Sequence, residues 1–336
     1  EAISLTGLFI PDGPVVQVRD VIGKVQGWED EDSSVVWDGP LIVLVSRFSA
    51  SASEIVAGAL KSHGRAIIVG DQETHGKGTV QAIFEMNRSN FLSSVKPDKG
   101  AAKVTVQKYY LPDGTSTQIK GVSSDIVLPS VNMYLPIGES DLPHALAWDA
   151  INPLSWDYST EFEVEGVPVS STLVDTLRTR SMSRQQSLEE FDYLNQNIAW
   201  LRERQEQEEF SLNFAQRYSL LEADEAFHDT MEDELKSLAE SNYDSEEILL
   251  TVTEEQNAEH DALIAEMEAE EALEAQANGE SEADIEVIET EEVEELPTFD
   301  IHLRESLRIM ADWIDLSREA ERSASVTTAE AKDKRS

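Results

Sequence analysis

The chain has 336 residues, with 26 Lys and Arg against 67 Asp and Glu, a formal net charge of −41, and no cysteine. That length allows two domains or so and a sizeable core. The charge repels nucleic-acid phosphates and anionic lipid and argues against both as main partners, while the missing cysteine excludes disulfides, thiolate catalysis and cysteine-bound metal.

Cationic partners or a salty external medium fit such a charge. The chain opens at Glu1 without a methionine or an apolar leader and reads as the later part of a longer protein. Its longest apolar run, LIVLV at 41–45, is far too short to span a membrane.

The first 150 residues predict an α/β region. PDGP at 11–14 is turn chemistry, and residues 15–19 have strand character. PLIVLV at 40–45 reads as a fully buried strand, a short β-rich run without alternation. A helix is expected over about residues 52–62, with Ile55, Ala59 and Leu60 on its apolar face and His63 and Gly64 as its stop. Residues 66–69 form the next buried strand, so the order predicts a right-handed parallel crossover. Strands follow over 80–84 and 104–110, PDG at 112–114 is a turn, and residues 126–128 close the region.

From about Ser170 to Leu238 the pattern is helical. Phe191, Leu194, Ile198 and Leu201 share one face, and Arg202, Glu203, Arg204 and Glu206 lie on the polar side. No Lys or Arg stands between Lys236 and Arg304, while Glu and Asp crowd the interval. Such a block is expected to be solvated and poorly ordered, with a transient helix over 262–275. Helical periodicity returns at Leu303, Leu307, Met310 and Ile314, and the polar tail after Ser323 is expected to be disordered.

Two motifs carry chemistry. Ser51-Ala52-Ser53-Glu54 fits a capping box, which sets Ser51 at the mouth of a helix. Free backbone N–H groups there, that of Ala52 among them, could stabilise a developing oxyanion by roughly 3 kcal/mol per donor. The same signature also fits plain helix capping, worth about 1 kcal/mol, and Ser49 and Ser53 compete as nucleophiles by composition. Lys77 sits in THGKGT at 74–79, where flanking glycines permit a sharp turn and close approach. A serine activated by a neutral amine is the chemistry of a Ser–Lys hydrolase, and burial without a carboxylate partner is what makes an amine a base. A lysine in a glycine loop also fits an ordinary solvated position.

Rival motifs fit less well. A phosphate loop requires Gly-x-x-x-x-Gly-Lys-Ser/Thr, whereas Gly70 to Gly76 has one residue too many and Gly78 follows Lys77. His63 and His75 lie near glycines, but no strand-end Asp stands out to orient either as a catalytic base. The six His are scattered without a His-x-x-x-His, so no metal and no cofactor is expected, and His260 belongs to the acidic segment.

Together, RFSASASEI at 47–55, GRAIIVG at 64–70 and GKGTVQ at 76–81 closely resemble the tail-specific (C-terminal processing) proteases, Ser–Lys endopeptidases, and most closely their long periplasmic type. GLFIP at 7–11, VQVRD at 16–20, KYYLPDG at 108–114, DIVLP at 125–129 and AWDAI at 147–151 extend the resemblance. It spans nearly the whole chain except about 238–297, which looks like an insertion. It implies a crotonase/ClpP-like α/β core with parallel strands and crossover helices, followed by an α-helical C-terminal domain. Carried over, Ser51 is the nucleophile, Lys77 the general base, Gln81 the residue that hydrogen-bonds and orients Lys77, and the Ala52 N–H half of the oxyanion hole. The family's PDZ domain and Gly-Gly loop would lie upstream of Glu1, so the isolated chain is expected to have weak or no activity. Departures are a loop at 71–75 one residue longer than the pattern, His75 where Phe is usual, Ser62 where a supporting Asp stands, and SSD at 123–125.

The expected organisation is a protease core over 1–150, a helical domain over 151–236, an acidic disordered insertion over 237–297, a terminal helix over 298–322 and a disordered tail over 323–336. The expected function is serine endopeptidase action on periplasmic proteins with apolar or unstructured C-termini in a Gram-negative bacterium. The resemblance leaves room for an adaptor protein and for peripheral association with the inner membrane. The alternative is a catalytically incomplete chain that serves as a docking platform for substrate or adaptor.

Overall fold

Residues 1–85, 100–156, 169–244 and 299–333 are described by the structure, a computed structural model. The expected insertion lies outside them from residue 245 to 298, as do the expected transient helix and the last three residues of the tail. Two units are distinguished. The first comprises Glu1–Phe214 and Asp300–Ser336, and the second Ala215–Phe299.

In the first unit the chain runs α1 (Ala2–Gly7), β1 (Pro14–Asp20), β2 (Val25–Glu29), β3 (Ile42–Val45), α2 (Ala52–Ser62), β4 (Ile67–Gly70), β5 (Thr79–Glu85), β6 (Ala101–Tyr110) and β7 (Ile126–Val127). Helices α3 (Ser171–Gln185), α4 (Glu189–Glu206) and α6 (Ile301–Asp333) complete it, and α5 (Phe214–Ala239) belongs, from Ala215 on, to the second unit. β3, β4 and β7 form a parallel sheet in the order β3-β4-β7, with α2 as the crossover between β3 and β4. The expected α/β crossover and helical C-terminal region are thus present. The other four strands form an antiparallel sheet, β2-β1-β6-β5. β2 and α1 had no counterpart in the sequence reading. Asp20 Oδ1 accepts the N–H groups of Ile22 and Lys24, and this side-chain turn folds β2 back onto β1.

β4 is the central strand, and both its faces are covered. Ile68 packs with Val45, Ala59 and Leu60 on the α2 side, while Ile67 and Val69 pack with Ile126, Leu128, Leu177, Ile309 and Trp313. A strand buried on both faces reads as a continuous apolar run, which is why GRAIIVG shows no alternation. β3 corrects the expectation of full burial: it is an edge strand, and Leu44 stays exposed.

Leu177 of α3 and Ile309 and Trp313 of α6 belong to this second core, so the first unit runs well past residue 150. The buried stripe of α6 is not the one the apolar periodicity suggested, since Leu303 and Leu307 are exposed. Instead Ile301, Glu305, Ile309 and Trp313 face inward at four-residue steps. Glu305 is fully buried and tolerated there because the Arg184 guanidinium of α3 meets it at 2.9 Å while also holding Asp312 at 2.6 Å. α6 continues to Asp333, beyond the expected boundary near residue 322, over a segment containing the helix formers Ala, Glu and Lys. No helix among the described residues is long and apolar enough to cross a membrane.

Candidate active site

The loops that follow β3 and β4 lie side by side at the carboxyl ends of their strands, where open parallel sheets present ligand sites. Gly70 has φ +134°, and a Cβ there would fall 1.9 Å from the Val45 carbonyl oxygen, so only glycine lets the loops start this close. Arg47 then ties them laterally. Its backbone N–H donates to Asp71 Oδ2 at 2.6 Å, and its guanidinium donates to Glu73 Oε1 at 2.6 Å and to the Thr74 carbonyl at 2.9 Å. The N–H of His75 donates to the Ser49 carbonyl at 2.9 Å.

Ser51 is the N-cap of α2, as the capping signature predicts, but its backbone is unusual. It has φ +59° and ψ −108°, a conformation that a side chain normally disfavours and that costs roughly 1–3 kcal/mol. The neighbouring serines differ from it. Ser49 Oγ accepts the Ser46 N–H at 3.1 Å, and the exposed Ser53 Oγ donates to the Ala50 carbonyl at 2.9 Å. Of the three, Ser51 is the one on the strained strand-to-helix turn.

Glu54 is the hub beneath this turn. It is fully buried, and each carboxylate oxygen receives two donors. Oε1 accepts from Thr74 Oγ1 at 2.6 Å and from the Gly76 N–H at 2.7 Å. Oε2 accepts from the Ser51 N–H at 2.7 Å and from the Lys77 N–H at 2.9 Å. One oxygen atom therefore holds the backbones of Ser51 and Lys77, putting their nitrogens within roughly 6 Å of each other. Burial pushes the Glu54 pKa up, and the surrounding donors pull the other way.

Lys77 is half-buried. Among the described residues its ammonium group meets no carboxylate, and no hydrogen bond joins Lys77 Nζ to Ser51 Oγ. The flanking glycines are required by contact. Gly76 has φ +93°, and a Cβ on Gly78 would come within 2.6 Å of the Gln118 backbone nitrogen. The Gly78 N–H donates to Gln118 Oε1 at 2.9 Å, and Gln118 Nε2 donates to Glu139 Oε1 at 2.9 Å.

Gln81 does not take the place expected for it. It lies exposed on β5, after an irregularity in the pairing with β6 between Val80 and Gln81, and makes no hydrogen bond to Lys77. The glutamine that supports the lysine loop is Gln118, through Gly78. The Ala52 N–H has no acceptor among the described residues and lies at the positive end of α2, whereas the N–H groups of Ser51, Gly76, Lys77 and Gly78 are all engaged.

The histidines stand apart from this arrangement. His63 is buried, with Nε2 2.8 Å from the Pro14 carbonyl and its ring against Trp156, and burial lowers its pKa. His75 Nδ1 lies 3.9 Å from Glu139 Oε2. A cleft of about 310 Å³ beside the Arg47–Glu73 pair is lined by Met133, Tyr134 and Leu135 and contains neither Ser51 nor Lys77.

Glu54 as a capping partner was visible in the sequence. Its reach to Thr74, Gly76 and Lys77 was not, nor were the supporting positions of Tyr109, Thr117 and Gln118. Their only local signal was the polar segment TSTQ at 115–118 beside the KYYLPDG motif.

Residues 1–128 match Peptidase family S41, and residues 133–315 match the C-terminal domain of tail specific protease. The tail-specific protease of Haemophilus influenzae is 38% identical over 227 residues, which are 67% of this chain and 31% of that protein. The carboxy-terminal-processing protease of Bartonella bacilliformis is 38% identical over 149 residues, 42% of this chain and 32% of that protein. A solved structure, the photosystem II D1 C-terminal processing protease, is 32% identical over 38% of this chain and 30% of its own, with a TM-score of 0.31. The chain thus spans about a third of the length of the curated relatives it matches. The match to the C-terminal domain alone takes in more than half of the residues, and with the S41 match before it the chain belongs to the tail-specific protease family.

Proposed function

We propose that this chain carries the Ser–Lys dyad of a serine endopeptidase that processes or degrades periplasmic proteins with apolar or unstructured C-termini. The observation that supports this most strongly is the shared hold of Glu54 Oε2 on the Ser51 and Lys77 backbones. A helix N-cap alone would not need the second contact.

In the proposed reaction Ser51 Oγ attacks the scissile carbonyl while the neutral Lys77 amine accepts its proton. The tetrahedral oxyanion receives the Ala52 N–H at the start of α2, worth roughly 3 kcal/mol. Collapse breaks the C–N bond, and Lys77 returns the proton to the departing amine. Water then attacks the acyl-serine ester, with Lys77 again as base, and releases the new C-terminus. The N–H groups of Gly76, Lys77 and Gly78 are engaged, so in this reading a second oxyanion donor is not drawn from the lysine loop. Gln81 is tested as an orienting residue by Gln81→Ala, for which its exposure leads us to expect little loss.

The decisive experiment uses the intact protein that contains this chain, with Ser51→Ala and Lys77→Ala as controls and an unfolded protein with an apolar C-terminus as substrate. Cleavage is expected to fall by about a thousandfold or more in each variant. Equal cleavage by all three would end the assignment.

A further inference from the structure

Where the Glu54 carboxylate takes the N–H groups, a second side chain meets the carbonyls of both residues of the proposed dyad. Tyr109, near the end of β6, is almost completely buried. Its hydroxyl lies 3.2 Å from the Ser51 carbonyl oxygen and also bonds the Lys77 carbonyl. Thr117 Oγ1 stands beneath, 3.0 Å from Tyr109 Oη and 3.2 Å from the same Lys77 carbonyl. Burial, then the nearby Glu54 charge, pushes the phenol pKa up, so Tyr109 stays neutral and keeps its proton to donate.

Counting protons shows what each group does. The phenol and the threonine hydroxyl bring one each. The Ser51 carbonyl already accepts the Ile55 N–H of α2 at 3.0 Å. For the Lys77 carbonyl the donors among the described residues are Tyr109 and Thr117. Three arrangements satisfy the set: in one, Tyr109 and Thr117 both donate to the Lys77 carbonyl while Ile55 serves Ser51. In the others, Tyr109 donates to Ser51 while Thr117 donates to Lys77, or Tyr109 donates to Lys77 while Thr117 donates to Tyr109 Oη. In each, a neutral phenol sits between the two carbonyls and sets their separation. With Glu54 on the N–H groups, each dyad residue is held at both ends of its own backbone.

We infer that Tyr109, backed by Thr117, is a positioning residue for the reaction: its hydroxyl fixes the spacing between the Ser51 and Lys77 backbones and thereby the reach from hydroxyl to amine. This deepens the proposed Ser–Lys reading and rests on it. A purely structural role is separable, because Tyr109→Phe keeps the ring packing and leaves both carbonyls a donor, Ile55 for Ser51 and Thr117 for Lys77.

The test measures kcat, KM and thermal unfolding for the intact protein and for Tyr109→Phe, Thr117→Val, Thr117→Ser and the Phe/Val double variant. Tyr109→Phe is expected to lower kcat about tenfold, with KM and Tm near those of the wild type, since small displacements of reacting groups weigh heavily on rate. Thr117→Val is expected to lower kcat a few-fold and Thr117→Ser to restore it. The double variant, which removes both donors to Lys77, is expected to lose more than the product of the single losses. If Ser51→Ala and Lys77→Ala abolish cleavage but Tyr109→Phe retains kcat within twofold, the inference is overturned and the dyad stands. A loss confined to KM, or one that tracks a lowered Tm, overturns it equally. Should Tyr109→Phe fold poorly, an unchanged kcat in Thr117→Val or strictly multiplicative losses would do the same. Cleavage that needs neither Ser51 nor Lys77 instead removes the reading beneath it.

Discussion

Glu54→Gln alters one heavy atom in the buried hub, and its effect can be worked out contact by contact. A glutamine retains one acceptor oxygen and replaces the other by an NH2 group that must face two donors. The less costly orientation keeps the oxygen toward Ser51 and Lys77 and turns the NH2 toward Thr74 and Gly76. The Thr74 hydroxyl can then rotate to accept, but the buried Gly76 N–H is left without a partner, at roughly 1–3 kcal/mol. The Ser51 and Lys77 contacts survive but lose the strengthening that a full negative charge gives them, on the order of 0.5 kcal/mol each. Removing a buried charge relieves part of its desolvation cost and offsets some of this. The net expectation is a loss of about 2–3 kcal/mol, read as a lower urea midpoint by far-ultraviolet circular dichroism at neutral pH. Cleavage by the intact protein should fall further than the unfolded fraction accounts for if Ser51 and Lys77 act as proposed, because the oxygen that holds both backbones is weakened. Unchanged or increased stability would refute the argument that the four donors require a carboxylate.

Two further outcomes rest on His63 and Gly76. His63 has a folded pKa below its ordinary value of about 6.5, so its contribution is complete above that value and is lost as pH falls through the folded pKa; the urea midpoint should drop on acidification, and Phe at position 63 should remove that component. Gly76→Ala places a Cβ 2.8 Å from the Ile119 carbonyl at a φ of +93° and should cost about 2 kcal/mol or more by urea unfolding, a loss below about 0.5 kcal/mol contradicting the steric argument.

The parts of the site legible in the sequence are those fixed by local rules. Ser51 and Glu54 are three residues apart, and the capping box names both. The α2 boundaries are equally local, with Ser51 before the helix and Gly64 in the left-handed conformation after it. What could not be read joins distant segments. Tyr109 reaches Ser51 across 58 residues and Lys77 across 32, and nothing in KYYLPDG says which of its two buried tyrosines meets those backbones. Gln118 meets the Gly78 N–H only because the chain returns beside the glycine loop. The misjudged face of α6 has a similar cause. Its inward stripe includes Glu305, which any hydrophobic pattern assigns to solvent, and the Arg184 partner that permits burial lies 121 residues away. Gln81 is a similar case, since the string GKGTVQ does not say that its side chain lies exposed on β5.

The strain at Ser51 and the hub at Glu54 are two sides of one arrangement. A non-glycine residue at φ +59° persists only where its surroundings over-determine it. At Ser51 they do so from three directions. Glu54 takes its N–H, while Ile55 and Tyr109 both meet its carbonyl. Glu54 and Tyr109 also bind the Lys77 backbone, so the groups that stabilise the strained turn are the ones that bring the lysine loop to it. A turn that served only to cap α2 would need the first set of contacts and gain nothing from the second. Shared partners of this kind suit the proposed proton transfer between two side chains carried on separate loops, because fixing each backbone independently would leave their separation free to drift.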